Sequence, residues 1–357
     1  MERTTRAQRR WAAAVGLVLV AFLLSGSSIQ PLAPAGGAGA TGLPQLIGAA
    51  LPWGLERIHA PQAWQVTTGS PEVIVAVIDS GIDWTIPELA AVRWTNPREI
   101  PGNGIDDDGN GYVDDVYGWD FRDNVPAHLR RTQLHWHGTF VAGIIAGRLS
   151  EGTAAGVAPN VRIMDVRFLD SRGLFTTKDW DRLAAAIRYA VDNGARIINL
   201  SLYAKGTPPA VVEGALAYAA SRGAIVVGIA GNEARAEVLY PGRYSTVLAA
   251  SATDAADALA SFSSWGPEVA VAAPGHEVVS LLPGGRVATN SGTSFAAPHV
   301  SGTLALILSA NPALSAEEAA RILLATSSPL TPTPDPRFGA GLVNAGRGVA
   351  AAAGIAR

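Results

Sequence analysis

The chain has no cysteine in its 357 residues. Thiol nucleophiles, cysteine-held metal sites and disulfide staples are therefore excluded. Charge is also scarce. Only 16% of residues are Asp, Glu, Lys or Arg, and 27 basic side chains against 30 acidic ones leave a net charge of −3. Without a basic excess or a basic stripe, nucleic acid is excluded as a partner. No internal repeat is present. The long apolar run, Trp11 to Leu24, falls short of the ~20 residues that a relaxed membrane span needs.

That run follows Arg3, Arg6, Arg9 and Arg10, and a basic segment before a short apolar one is the layout of a secretory signal. Residues 1–25 are read as a signal peptide or, uncleaved, as an N-terminal anchor on residues 11–24. Ala33-Pro34-Ala35 and Ala38-Gly39-Ala40 offer small-residue cleavage sites. A secreted or otherwise extracytoplasmic protein is expected. Residues 26–51, rich in Gly, Ala and Pro, read as a linker too short for a folded prodomain.

From residue 52 onward the pattern changes. With 48% hydrophobic side chains, residues 52–357 can bury one large core. Apolar, β-branched runs at Val73–Ile78, Val161–Val166, Arg196–Leu200, Ala224–Ile229 and Thr246–Ala252 suit strands covered on both faces. Helical patterns at Gly138–Gly147, Asp179–Asn193 and Ala210–Ser221 lie between them, and Ser315-Ala316-Glu317-Glu318 opens a further helix with a capping box. This alternation predicts an α/β fold, a doubly wound, mostly parallel sheet with helices on both faces.

In such sheets chemistry gathers beyond the carboxyl ends of the strands. Asp79 ends the first strand ahead of Ser80-Gly81, and Asn232 follows a later strand in Ala230-Gly231-Asn232-Glu233. His137 opens a helix of small residues in His135-Trp136-His137-Gly138-Thr139. Ser294 lies in Gly292-Thr293-Ser294-Phe295-Ala296-Ala297-Pro298-His299, ahead of the apolar run Thr303–Ala310. A helix N-terminus there turns free N–H groups and a positive dipole end toward an oxygen nucleophile. Pro298 is expected in the first turn, where no N–H is needed. Together the four residues make a mechanism: Ser294 as nucleophile, His137 as base, Asp79 orienting the imidazole, and Asn232 with the Ser294 N–H binding the oxyanion. His135 and His299 are read as structural. The extended segment Ser201-Leu202-Tyr203, with Ala230 and Gly231, is expected to line a polypeptide substrate.

Asp79-Ser80-Gly81, His137-Gly138-Thr139, Ala230-Gly231-Asn232 and the Gly292–His299 stretch resemble, in order, the four catalytic signatures of the subtilisin-like serine proteases. Lesser matches at Ala60–Trp64, Phe262–Pro267, Ala273-Pro274-Gly275 and Gly341–Asn344 extend the resemblance over nearly all of residues 53–349. It implies a monomeric serine endopeptidase, with no cofactor for chemistry and with Ca²⁺ for stability. The alternative is a catalytically impaired copy of the same fold used as a binding module. Phe140 and Phe295 stand where the family usually has histidine and methionine, at packing positions. Tyr203 stands where it usually has glycine, on the strand lining the pocket for the residue before the cut.

The most acidic stretch runs from Asn103 to Asp115. Asp106, Asp108, Asn110, the Tyr112 carbonyl and Asp114 fall on alternate positions, with Gly111 where an EF-hand loop turns sharply. Its twelfth position is Tyr117 rather than glutamate, so the last ligand must come from elsewhere, with Asp115 a candidate. A structural Ca²⁺ site is expected here.

Overall fold

The computed structural model describes residues 51–148 and 156–355. The signal or anchor segment and residues 26–50 of the linker lie outside the described residues. The expected strands form at β1 Ile74–Asp79, β4 Arg162–Arg167, β5 Ile197–Asn199, β6 Ile225–Ile229 and β7 Val247–Thr253. Nearly every residue in them is buried, as continuous apolar runs require. Five further strands were not legible: β2 Gly118–Asp120, β3 Val125–Pro126, β8 Val269–Pro274, β9 Val278–Leu282 and β10 Arg286–Asn290.

The main sheet has the order β3-β2-β4-β1-β5-β6-β7-β8, and β9 with β10 makes a separate antiparallel pair. Every pairing in the main sheet is parallel except β2 with β3. After β1 the chain passes outward to β2 and returns as β4, then crosses to β5 on the opposite flank. The order therefore reverses at β1, and a crevice opens beyond its C-terminal end. Asp79 is the last residue of β1.

The principal helices are α1 Trp53–Arg57, α2 Ala60–Trp64, α3 Pro87–Ala90, α4 His137–Ala146, α5 Trp180–Asp192 and α6 Ala210–Ser221, followed by α7 Thr293–Ala310, α8 Ala316–Thr326 and α9 Ala345–Ala352. Helices α4 and α7 pack together against the sheet, and so, separately, do α5 and α6. All of α4 is buried, as is α7 from Thr293 to Leu308. Helices enclosed on every side must be apolar or small all round, which is what both sequences are. The predicted capping box forms at α8, where the Ser315 hydroxyl accepts from the Glu318 N–H and the Glu318 carboxylate accepts in return. One apolar cluster runs from Leu55 to Ala352 through all these layers.

Candidate active site

Asp79 and His137 meet in the interior. Both are fully buried, and His137 Nδ1 lies 2.9 Å from each Asp79 carboxylate oxygen. Local chemistry fixes this pair. The Ser80 N–H donates to Asp79 Oδ1 at 2.7 Å, locking the carboxylate at the strand end. The Ser80 hydroxyl accepts from the Gly138 N–H at 2.9 Å and donates to the His135 carbonyl at 3.0 Å, pinning the start of α4 to the β1 turn. Sequence reasoning saw Ser80 only as part of that turn. Gly138 is required by proximity: a Cβ there would lie 2.5 Å from the Gly81 carbonyl oxygen and 3.2 Å from Asp79 Oδ1. Any side chain would force the Gly81 carbonyl, and the turn that holds Asp79, to shift.

The turn itself is braced from behind. Asp79 is in register with Arg167, whose Nη1 pairs with Asp120 at 2.8 Å and bonds the Thr132 hydroxyl at 2.6 Å. Arg130 pairs with Asp165 at 2.6 Å and reaches the Ile82 carbonyl. These charges lie beside β1, Arg167, Asp120 and Asp165 buried and Arg130 largely so, each held by a partner of opposite sign.

Ser294 is the second residue of α7 and is 2% exposed. Its helix touches α4 through aromatic rings. Phe295 and Phe140 stand 4.6 Å apart between centroids, and Phe295 lies 5.6 Å from the His137 ring. Phe295 thus packs against the imidazole and Phe140 against Phe295, both at packing positions as expected. The Asn232 Oδ1 accepts from the Thr293 N–H at 2.9 Å and from the Thr293 hydroxyl at 2.7 Å. That commits its carbonyl and leaves Nδ2 as the donor. In the same turn the Phe295 N–H bonds the Gly292 carbonyl. The Ser294 hydroxyl itself rests on the Ser201 carbonyl, at 3.3 Å.

Pro298 corrects an expectation. It sits in the second turn of α7 rather than the first, where a missing N–H strands the carbonyl four residues back. That carbonyl belongs to Ser294, and the Ser201 hydroxyl donates to it at 2.8 Å. Ser201 is in turn bonded by Asn199 Nδ2, and Asn199 Oδ1 accepts from Ser301. A buried polar chain thus ties β5 to the backbone of Ser294.

A family model described as "Subtilase family" matches residues 70–341. The chain belongs to the subtilase family. Its class is that of the subtilisin-like serine endopeptidases. It is 41% identical over 258 residues to the thermophilic serine proteinase of Bacillus sp. strain AK1, 38% over 259 residues to thermitase of Thermoactinomyces vulgaris, and 35% over 297 residues to subtilisin BL of Lederbergia lenta. These matches cover 72%, 72% and 83% of the chain, and 57%, 82% and 97% of the relatives' own lengths.

In this subtilase the predicted substrate-lining residues Ser201, Leu202, Tyr203, Ala230 and Gly231 are all buried beyond the ends of β5 and β6. The acidic stretch folds into the expected loop, with Gly111 in the left-handed region at φ 92°. Its ligands do not all converge. Asp106 and Asp108 come together with Glu99, offering ligand oxygens within 4.8 Å of one another. Asp114 instead accepts the N–H groups of Gly102 and Gly104. Asn110 Oδ1 accepts from Tyr112, while Asp115 is held by Asn96, Asn110 and Tyr189. Glu99 was missed because it precedes the loop pattern, and nothing in the spacing marks it. It is 7% exposed, and burial, reinforced by Asp115 and Asp108, raises its pKa. Its Oε2 has no hydrogen-bond partner among the described residues.

Proposed function

We propose that this subtilase cleaves internal peptide bonds of polypeptides through an acyl-enzyme on Ser294. The observation that carries the reading is the fully buried Asp79–His137 pair, with Nδ1 committed to the carboxylate. A neutral imidazole so bonded has Nε2 as its basic atom. Ser294 Oγ turns from the Ser201 carbonyl, gives its proton to Nε2 and attacks the substrate carbonyl carbon. Asp79 stabilises the resulting imidazolium, and the oxyanion accepts from Asn232 Nδ2 and the Ser294 N–H. The imidazolium protonates the departing amine, and water releases the acyl group by the same path in reverse. Ser294→Ala should lower kcat by roughly 10⁴–10⁶ while leaving the fold intact. Normal turnover in that variant would sink the mechanism.

The donor set around Glu99 fits a hard divalent cation. Oxygen ligands, two of them carboxylates of the loop, meet a buried carboxylate oxygen that lacks a partner. Ca²⁺ held by Glu99, Asp106 and Asp108 would cancel their mutual repulsion and brace the loop between Asp79 and His137. Arg98, 3.0 Å from Asp108, already offsets part of that charge. Export rests on the basic and apolar order of residues 1–25. Among the described residues no helix is long and apolar enough to cross a membrane.

A further inference from the structure

The amino-terminal ends of β1 and β4 carry a cavity of about 640 Å³. Ile74 and Arg162, the first residues of those strands, lie in its wall. Asp79 ends β1 at the other pole of the sheet, roughly 16 Å away at the usual strand rise. The cavity is therefore separate from the peptidase centre.

Its wall holds charges of both signs that do not pair with one another. Arg93 and Arg162 line it, as do Glu72 and Asp192. The Arg93 Cζ lies 3.6 Å from the centroid of the Tyr117 ring. That stack occupies one face of the guanidinium and leaves the N–H groups of its edge free to donate. Arg162 spends one donor, Nη1, on the Ala91 carbonyl at 2.7 Å. Among the described residues neither arginine pairs with a carboxylate. Asp192 accepts from the Tyr218 hydroxyl, and Glu72 is exposed; neither carboxylate pairs with a basic group among the described residues. Arg98, also in the wall, is different: Asn193 holds it at 2.9 Å, and Asp108 neutralises it at 3.0 Å.

Two unpaired cations and two unpaired anions around one space match a ligand that carries both signs. A guanidinium fork suits a carboxylate, and a carboxylate suits an ammonium group. The volume lies in the range of small-ligand sites. It has room for two or three extended residues at roughly 3.5 Å each. The Tyr117 stack and the Ala91 bond fix the arginines in advance, which lowers the ordering cost of binding. We propose that this cavity binds a short peptide with free ends, its terminal carboxylate on Arg93 and Arg162 and its ammonium group on Glu72 and Asp192. Such binding does not depend on the serine-peptidase reading.

The test is isothermal titration of the full chain carrying Ser294→Ala, which cannot consume the probe. Trialanine is compared with its N-acetyl form and with its C-terminal amide. Trialanine should bind at one site, and either cap should weaken it about tenfold or more, as loss of a charge-assisted contact does. Arg93→Gln with Arg162→Gln should weaken trialanine to a similar degree, and amidation should then cost nothing further. Glu72→Gln with Asp192→Asn should do the same for acetylation. Absence of saturable trialanine binding below about 10 mM overturns the proposal, and so does equal binding of the capped forms. Undiminished binding in the arginine variant places the peptide elsewhere, the Ser294 crevice included, and also overturns it. If that variant does not fold, the capped peptides on the parent protein and on the Glu72→Gln, Asp192→Asn protein still decide.

Discussion

Removing the Ser201 hydroxyl should destabilise the fold, and removing Pro298 as well should recover part of the loss. The hydroxyl bonds the residue 294 carbonyl and accepts from Asn199 Nδ2, each at 2.8 Å and each fully buried. Ser201→Ala leaves one buried acceptor and one buried donor unmatched. At about 1–3 kcal/mol for each such group, the change should cost about 2–5 kcal/mol. Pro298→Ala supplies an N–H one helical turn from the stranded carbonyl, so in that background Ser201→Ala should cost about 1–2 kcal/mol less. The assay is equilibrium urea unfolding of the four proteins of the cycle at fixed calcium, all carrying Ser294→Ala to prevent self-digestion. Costs that add to within about 0.5 kcal/mol would show the two sites to be independent. The hydroxyl would then not stand in for the missing amide.

Acid should weaken the fold through His299. Burial holds this fully enclosed imidazole down to about 4 from 6.5, against the pull of the Phe295 and Pro274 carbonyls. The unfolded chain takes up a proton below about 6.5, whereas the folded chain takes one only near 4. Stability is therefore complete above the upper value and is lost as pH falls through this interval, by about 3 kcal/mol at its lower end. Urea unfolding of Ser294→Ala across that range should show the slope, and His299→Gln should reduce it; an identical slope would contradict the assignment. For calcium, a site occupied at about 100 times its dissociation constant adds roughly 2.7 kcal/mol, which is several degrees in melting temperature. Chelator should lower the melting point of Ser294→Ala by that amount and leave the Glu99→Gln version nearly unmoved. An equal drop in both would place the cation elsewhere.

Much of the fold could be read in advance because its strands are covered on both faces. The runs around Val75, Ile163 and Val226 carry no alternation to confuse with an exposed sheet. The candidate site was legible for a related reason. Asp79, His137, Asn232 and Ser294 each sit where an element starts or stops, and small residues such as Gly138 beside them signal close approach. What stayed hidden depends on partners far along the chain. Pro298 reads as a helix-opening proline until Ser201 is seen supplying its missing bond across 93 positions. Glu99 gains meaning only when the loop folds back over it. Tyr203 stood out as an oddity, but the bond that its hydroxyl gives to Glu233 joins two segments that only the β5–β6 pairing brings side by side. The short strand β2 was missed because Asp120 looks like a surface charge until it pairs with Arg167 in the interior.

The central claim is a covalent intermediate on Ser294. A slowly deacylating alanyl peptide ester, mixed with the full chain and quenched in acid within the first turnover, should release one equivalent of alcohol in a burst. Mass spectrometry of the digested protein should then find the acyl mass on the fragment containing Ser294, and His137→Ala should abolish it. Turnover with no acyl adduct, or with the adduct on any other residue, would contradict the account.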